Sequence, residues 1–291
     1  MSLLSVSNLQ TEFQSSAGVA RAVDGVTFDV KPGEIFGLVG ESGCGKSATC
    51  RSILRLFAGA SAKVVGGTVV LEGVGDLAAM SERELVQVRG RDVAFIVQDP
   101  LTALNPTMRV GKQVAEIIRR HQNVTRENAR EAALQLLRDV HIPSPERRLD
   151  AFPHELSGGL RQRIVIAMAL ALKPKLIIAD EPTTALDVTV QGQILRLLKE
   201  RRDSTGTSII LITHDLGVVS QICDRMAVMY AGNVVEVGQV REVLDSPTHP
   251  YTRALLDALP GRIARDHDLI PIEGSPPSLI SPPSGCRFAP R

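Results

Sequence analysis

An α/β fold built around a parallel sheet is what the sequence predicts, on three observations. Four short apolar runs, EIFGLVG at 34–40, DVAFIV at 92–97, KLIIAD at 175–180 and SIILIT at 208–213, have the length and composition of strands buried on both faces. Segments with helical spacing stand between them, the alternation that feeds a parallel sheet. The first run opens into Gly40-Glu41-Ser42-Gly43-Cys44-Gly45-Lys46-Ser47, which fits GxxxxGK[ST], between a predicted strand and a predicted helix.

Taken in order, LLSVSNLQTEF and ARAVDGVTFDV predict short strands before the turn Lys31-Pro32-Gly33. After the glycine-rich loop, SATCRSILRLF has helical spacing, and GGTVVLEGVGDL returns to strand and turn signals. The middle is helical from Arg109 to about Val140, with Thr125 as an N-cap, followed by the turn-rich HIPSPERRLDAFPHE. A small, apolar helix runs from Ile164 to Ala171, and QGQILRLLKERR predicts another between the last two buried runs. RMAVMYAGNVVEVG predicts a hairpin about Ala231-Gly232-Asn233. A short helical region then ends at Pro260, and the Pro- and Ser-rich tail from Pro271 is expected to be extended.

Bulk properties narrow the function. A net charge of +1 gives no basic field for nucleic acid, and the lack of Trp with 3% aromatics argues against a base-stacking surface. No segment approaches the roughly 20 apolar residues of a membrane span, and the N-terminus lacks a signal-peptide pattern, so a soluble, cytoplasmic chain is expected. Cys44, Cys50, Cys223 and Cys286 form no CxxC pair and are read as reduced thiols.

The loop at 40–47 carries the chemistry. Successive backbone N–H groups wrap a phosphate, Lys46 reaches the β and γ oxygens, and Ser47 offers a hydroxyl to Mg²⁺. Asp180 ends a buried strand, where a carboxylate can hold Mg²⁺ through its water shell, and Glu181 follows, positioned to orient or deprotonate a water. Gln98 and His214 each end a strand, on the edge where ligands gather in parallel sheets. Phe13 either stacks on adenine or fills a gap in the sheet.

A second phosphate-seeking feature is harder to explain. In HELSGGLRQRIVIAMALA, Ser157-Gly158-Gly159 opens a helix, and exposed N–H groups at such a start attract phosphate. Capping by Ser157 accounts for the serine but leaves the glycines and Gln162 without a reason.

These motifs in this order resemble the ATP-binding cassette (ABC) ATPases: the loop at 40–47, Gln98, LSGGLRQR at 156–163, LIIADE at 176–181, TTALD at 183–187 and His214. The resemblance implies a P-loop NTPase core with an N-terminal antiparallel β subdomain and an inserted helical subdomain at about 99–163. It further implies that Ser157, Gly158, Gly159 and Gln162 close on nucleotide held by a second, head-to-tail ATPase subunit. The nucleotide contacts it carries over also include Ala48 and Asp187, with Ser47, Gln98 and Asp180 on Mg²⁺ and His214 on the γ-phosphate.

LTALNPTM at 101–108, SPTHPYTRALLDALP at 246–260 and IEGSPPSLISPPSGCRFAPR at 272–291 narrow the resemblance to the dipeptide, oligopeptide and nickel import branch. A nucleotide-binding domain over 1–240 and a C-terminal extension over 241–291 follow. So do two transmembrane permease subunits, an extracytoplasmic substrate-binding protein, and a peripheral place on the cytoplasmic face of the inner membrane. Peptides are the expected cargo, with nickel or glutathione import, or a non-transport ATPase, as alternatives. Leu160 departs from the glutamine general to the family. Branch members commonly continue into further cysteines that in some bind an iron–sulfur cluster. Cys286 alone cannot supply the four protein ligands a cluster takes, so none is expected within residues 1–291.

Overall fold

Two long strands open the chain. β1 (Leu4–Ser15) and β2 (Gly18–Val30) pair antiparallel from Leu4↔Val30 to Ser15↔Gly18, longer than the short strands expected. The tight turn at Ser15, whose Oγ donates to Gly18 O at 2.9 Å, lets pairing run to the tip. β3 (Ile35–Val39), α1 (Lys46–Ile53), β4 (Ala62–Leu71), β5 (Gly75–Asp76) and α2 (Glu82–Val88) follow. β4 pairs antiparallel with the other edge of β1, giving a sheet of order β2-β1-β4-β5. Leu4, Val6, Leu9, Val26, Phe28, Val69 and Leu71 are buried in it.

The computed structural model describes residues 1–57, 61–184, 186–258 and 272–291. They form two compact units, residues 1–85 with 212–291, and residues 86–211. In the second unit, β6 (Val93–Ile96) runs parallel to β7 (Leu176–Asp180) from Val93↔Leu176 to Ile96↔Ala179. Its helices are α3 (Pro100–Ala103), α4 (Val110–His121), α5 (Arg126–Asp139), α6 (Pro145–Arg148), α7 (Gly158–Leu170) and α8 (Val188–Thr205). β8 (Ser208–Ile212) neighbours β7. Thr125 caps α5 as expected, its side chain accepting from Asn128 N–H at 3.2 Å. α7 is buried on nearly all sides, which its small apolar run requires. Arg163, also buried, ties it to its surroundings by donating to Val140 O and Gln193 Oε1, both at 2.8 Å.

The chain then re-enters the first unit through α9 (Leu216–Ile222), β9 (Arg225–Tyr230), β10 (Asn233–Gln239), α10 (Val240–Asp245) and α11 (Pro250–Asp257). β9 lies parallel to β3, and β10 returns antiparallel across Ala231-Gly232, both at positive φ, so the expected hairpin is present. Residues 272–291 carry no helix or strand, yet Ile272, Leu279 and Phe288 pack against the buried cluster that holds Tyr230 and Tyr251. The expected helix end at Pro260 and tail start at Pro271 lie outside the described residues. Among the described residues no helix is long and apolar enough to cross a membrane.

Arg225 joins the start of β9 to β2. Its guanidinium donates to Asp29 Oδ1 at 3.0 Å and Glu34 Oε1 at 3.4 Å, and lies 5.6 Å from the centre of the Phe36 ring. Hydrogen bonding from Arg225 holds the Asp29 carboxyl below its usual range. A depressed folded value contributes stability that is present above the unfolded value of about 3.9 and is lost as pH falls through the folded one. Asp29→Asn should therefore lower the melting temperature at neutral pH, and the difference should shrink as pH drops below about 4. Thermal melts of both proteins from pH 7 to pH 3 check this; a gap that stays constant would refute it.

Candidate nucleotide site

β3 is apolar throughout because it is buried, and the glycine-rich loop turns its end directly into α1. Gly45 is the N-cap of α1 at φ +107, and a Cβ there would stand 2.3 Å from Ala22 O. Only glycine meets both demands. Gly45→Ala should cost about 1–3 kcal/mol of backbone strain and abolish nucleotide binding, read by thermal melt and by titration with a fluorescent ATP analogue. Unchanged binding would show that this geometry is dispensable.

Lys46 is buried, and its ammonium donates to Gly40 O and Glu41 O, both at 2.8 Å. The positive charge therefore sits within its own loop. Cys44 lines the same turn, with Sγ 3.8 Å from Lys46 Nζ, and burial pushes its thiol pKa up. Gly232 N–H donates to Cys44 O at 2.7 Å, so the β9–β10 turn supports the loop from behind. Ser42 and Gly43 are exposed, while Ser47 and Ala48 are half-buried in the first turn of α1. His214 is exposed where the chain leaves β8; Thr213 N–H beside it donates to Leu38 O at 3.3 Å. Phe13 is half-buried and meets Phe57 edge-on at 5.9 Å.

In the second unit Asp180 ends β7 and is buried. Glu181 follows in the left-handed region, φ +46, a strained backbone for a residue with a side chain. Its Oε2 accepts from Gln98 Nε2 at 3.0 Å and from Thr184 Oγ1 at 2.8 Å. The structure thus brings Gln98 and Glu181 together, residues 83 apart in sequence, and adds Thr184, which sequence reasoning did not single out. With its amide nitrogen on Glu181, Gln98 turns the oxygen end of the amide elsewhere. An amide oxygen and the Asp180 carboxylate in this unit, like the Ser47 hydroxyl in the other, are each hard oxygen donors of the kind Mg²⁺ takes.

Ser157 caps α7, its side chain accepting from Leu160 N–H at 3.4 Å. Ser157 and Gly158 are exposed, so this helix start faces outward. Gly159 has an internal reason the sequence did not disclose: a Cβ would stand 2.6 Å from Val190 Cγ1 on α8. Gln162 is fully buried, with no hydrogen-bond partner for Nε2 among the described residues. Asp187 caps α8 by accepting from Val190 N–H at 2.9 Å. Ala185 of the TTALD stretch lies outside the described residues.

A family model described as ABC transporter matches residues 23–184, the span from β2 through the phosphate loop, the capped α7 and the β7 carboxylates. The chain belongs to the ABC transporter family. It is an ATPase of α/β P-loop fold. A second model, described as the C-terminal region of oligopeptide/dipeptide transporters, matches residues 235–291. The dipeptide transport ATP-binding protein DppD of Bacillus subtilis is 51% identical over 289 residues, 99% of this chain and 86% of the relative. The oligopeptide transport ATP-binding protein OppD of the same organism is 50% identical over 288 residues, covering 99% and 80%. Among solved structures, a dimeric ATP-binding cassette in a post-hydrolysis state bound to ADP and Pi aligns at a TM-score of 0.73. Identity to it is 27%, and the alignment covers 82% of this chain and 99% of that one. Part of an ABC transporter complex from Clostridium perfringens, cbiO1, aligns at 0.71 with 27% identity, covering 84% and 91%.

Proposed function

We propose that this ABC ATPase powers the import of dipeptides or oligopeptides through a membrane permease, from the cytoplasmic face of the inner membrane. The observation that carries the reading is the reach of the similarity. Relatives named for peptide transport match 99% of the chain, including the region 235–291 beyond the nucleotide-binding motifs.

In this reading Lys46 and the amides of residues 40–47 neutralise the phosphates. Ser47, Gln98 and Asp180 would hold Mg²⁺, which when bound would spread the negative charge of the triphosphate. Glu181, kept in place by Gln98 and Thr184, polarises the attacking water, and His214 contacts the γ-phosphate. Phe13 supplies a face for adenine. Ser157, Gly158 and Gly159 present an outward helix start to nucleotide on a second ATPase subunit, identical or related, with Gln162 supporting that helix from within. This arrangement gives one chain two phosphate-binding surfaces, each used by a different nucleotide, so that pairing follows ATP binding and reopening follows hydrolysis. The permease and an extracytoplasmic substrate-binding protein supply the path and the choice of cargo.

The test is uptake in cells lacking this chain, complemented with the parent or with Glu181→Gln. Labelled dipeptide uptake restored by the parent alone supports the proposal. Restored nickel or glutathione uptake, with no effect on peptides, would replace it.

A further inference from the structure

The C-terminal segment reaches the phosphate loop from behind. Arg291 donates through Nη1 to Glu41 Oε2 at 2.8 Å, while Nε and Nη2 donate to the carbonyls of Glu273 and Ile272 at 2.6 and 3.0 Å. Its guanidinium is largely buried, 8% exposed, so solvent screens the pair with Glu41 far less than a surface ion pair. Four residues earlier, Arg287 bonds both Ala231 O and Asp24. Ala231 begins the turn whose next residue, Gly232, donates to Cys44 O. Between the two arginines Phe288 packs against Tyr230 and Tyr251 at 5.4 and 5.5 Å, and Tyr251 Oη accepts from Glu41 N–H at 3.0 Å.

Glu41 is therefore held at three points. Tyr251 takes its N–H, Arg291 takes its carboxylate, and its carbonyl forms half of the cradle for the Lys46 ammonium. We propose that Arg291 is a positioning residue for nucleotide binding, acting through Glu41, and that the segment Arg287–Arg291 serves as a bracket that couples the C-terminal region to the phosphate loop. Two physical effects carry it. A loop already held in shape pays less ordering cost when phosphate enters. The guanidinium also neutralises a carboxylate that otherwise stands in the anion-binding loop itself, where it repels the incoming phosphates. A C-terminal region with this contact is placed to adjust ATP affinity when it is displaced. The proposal rests on the loop at 40–47 being the nucleotide site.

A double-mutant cycle tests it, with affinity read by titration of a fluorescent ATP analogue and turnover by phosphate release. The parent titration by itself tests the nucleotide site; the ratios between variants test the bracket. Arg291→Ala should weaken nucleotide affinity and raise KM by about fivefold, with kcat at saturating ATP within about twofold of the parent. Arg291→Lys keeps the charge and should recover part of the loss. Adding Glu41→Gln to Arg291→Ala removes the uncovered carboxylate, so the double variant should bind no worse than Glu41→Gln alone. Unchanged affinity in Arg291→Ala, or losses that multiply as for independent sites, would overturn the proposal. If Arg291→Ala does not fold, Arg291→Lys carries the test: its loss of affinity relative to the parent must vanish when both chains also carry Glu41→Gln, and a loss that persists there overturns the proposal.

Discussion

Glu181→Gln should lower ATP turnover by about 10²–10⁴-fold while nucleotide binding persists. The substitution is nearly isosteric, and an amide oxygen can still accept from Gln98 Nε2 and Thr184 Oγ1, now at 3.0 and 2.8 Å. What it removes is the negative charge and the capacity to take a proton from water. The backbone cost of φ +46 is the same for both residues, so the effect reads chemistry rather than folding. The measurement is phosphate release alongside titration of the ATP analogue; turnover within tenfold of the parent would remove Glu181 from its role. The same variant separates two arrangements of the ATPase pair. Light scattering with Mg-ATP should show a shift from monomer to dimer if two copies of this chain complete both sites. With binding confirmed and no shift, a different ATPase chain or the permease supplies the missing half.

Much of this was legible in the sequence, for a physical reason that also marks where legibility stops. β3 and β7 could be read because strands buried on both faces are apolar throughout, and the glycine-rich loop because its backbone tolerates few other residues. α2 was not, since Glu82, Arg83 and Glu84 present a polar surface with little periodic contrast; its start is signalled only by Ser81 bonding the Glu84 carboxylate. α9 reads LGVVSQI, a short apolar run that pattern alone does not assign to helix or strand. At the site, Lys46 announced itself by the spacing of the glycine-rich loop, and Gln98 and Glu181 by position just past strand ends. Thr184, Tyr251 and Arg291 did not, because their roles depend on contacts that only the folded chain creates, up to 250 residues apart. The tail was expected to be extended; residues 272–291 carry no helix or strand but bend and end in a turn at 287–290. Its attachment through Phe288 and two arginines carries no local signal. Gly159 shows the reverse limit: a glycine explained from sequence by phosphate alone is also demanded by close packing on Val190.

Lys46→Ala should reduce ATP affinity by at least about a hundredfold and bring turnover to background, through loss of the charge that the proposed function sets against the β and γ phosphates. The structure supplies a second cost. The buried ammonium satisfies the carbonyls of Gly40 and Glu41, and truncation leaves both acceptors without it. A lower melting temperature is therefore expected even without nucleotide, and it serves as an internal control: the nucleotide effect must persist after the stability difference is accounted for. Lys46→Arg distinguishes charge from fit. It retains the charge but replaces a compact ammonium with a planar fork that two carbonyls of one narrow loop do not match, so affinity should stay low. Recovery in Lys46→Arg would show that charge alone suffices. Hydrolysis at the parent rate in Lys46→Ala would refute the site. Placed beside Glu181→Gln, the pair divides the reaction. One variant should bind nucleotide and stall before cleavage, with any ATP-dependent assembly left intact. The other should never assemble, because in the proposed function the contact between subunits runs through a nucleotide that Lys46→Ala does not hold.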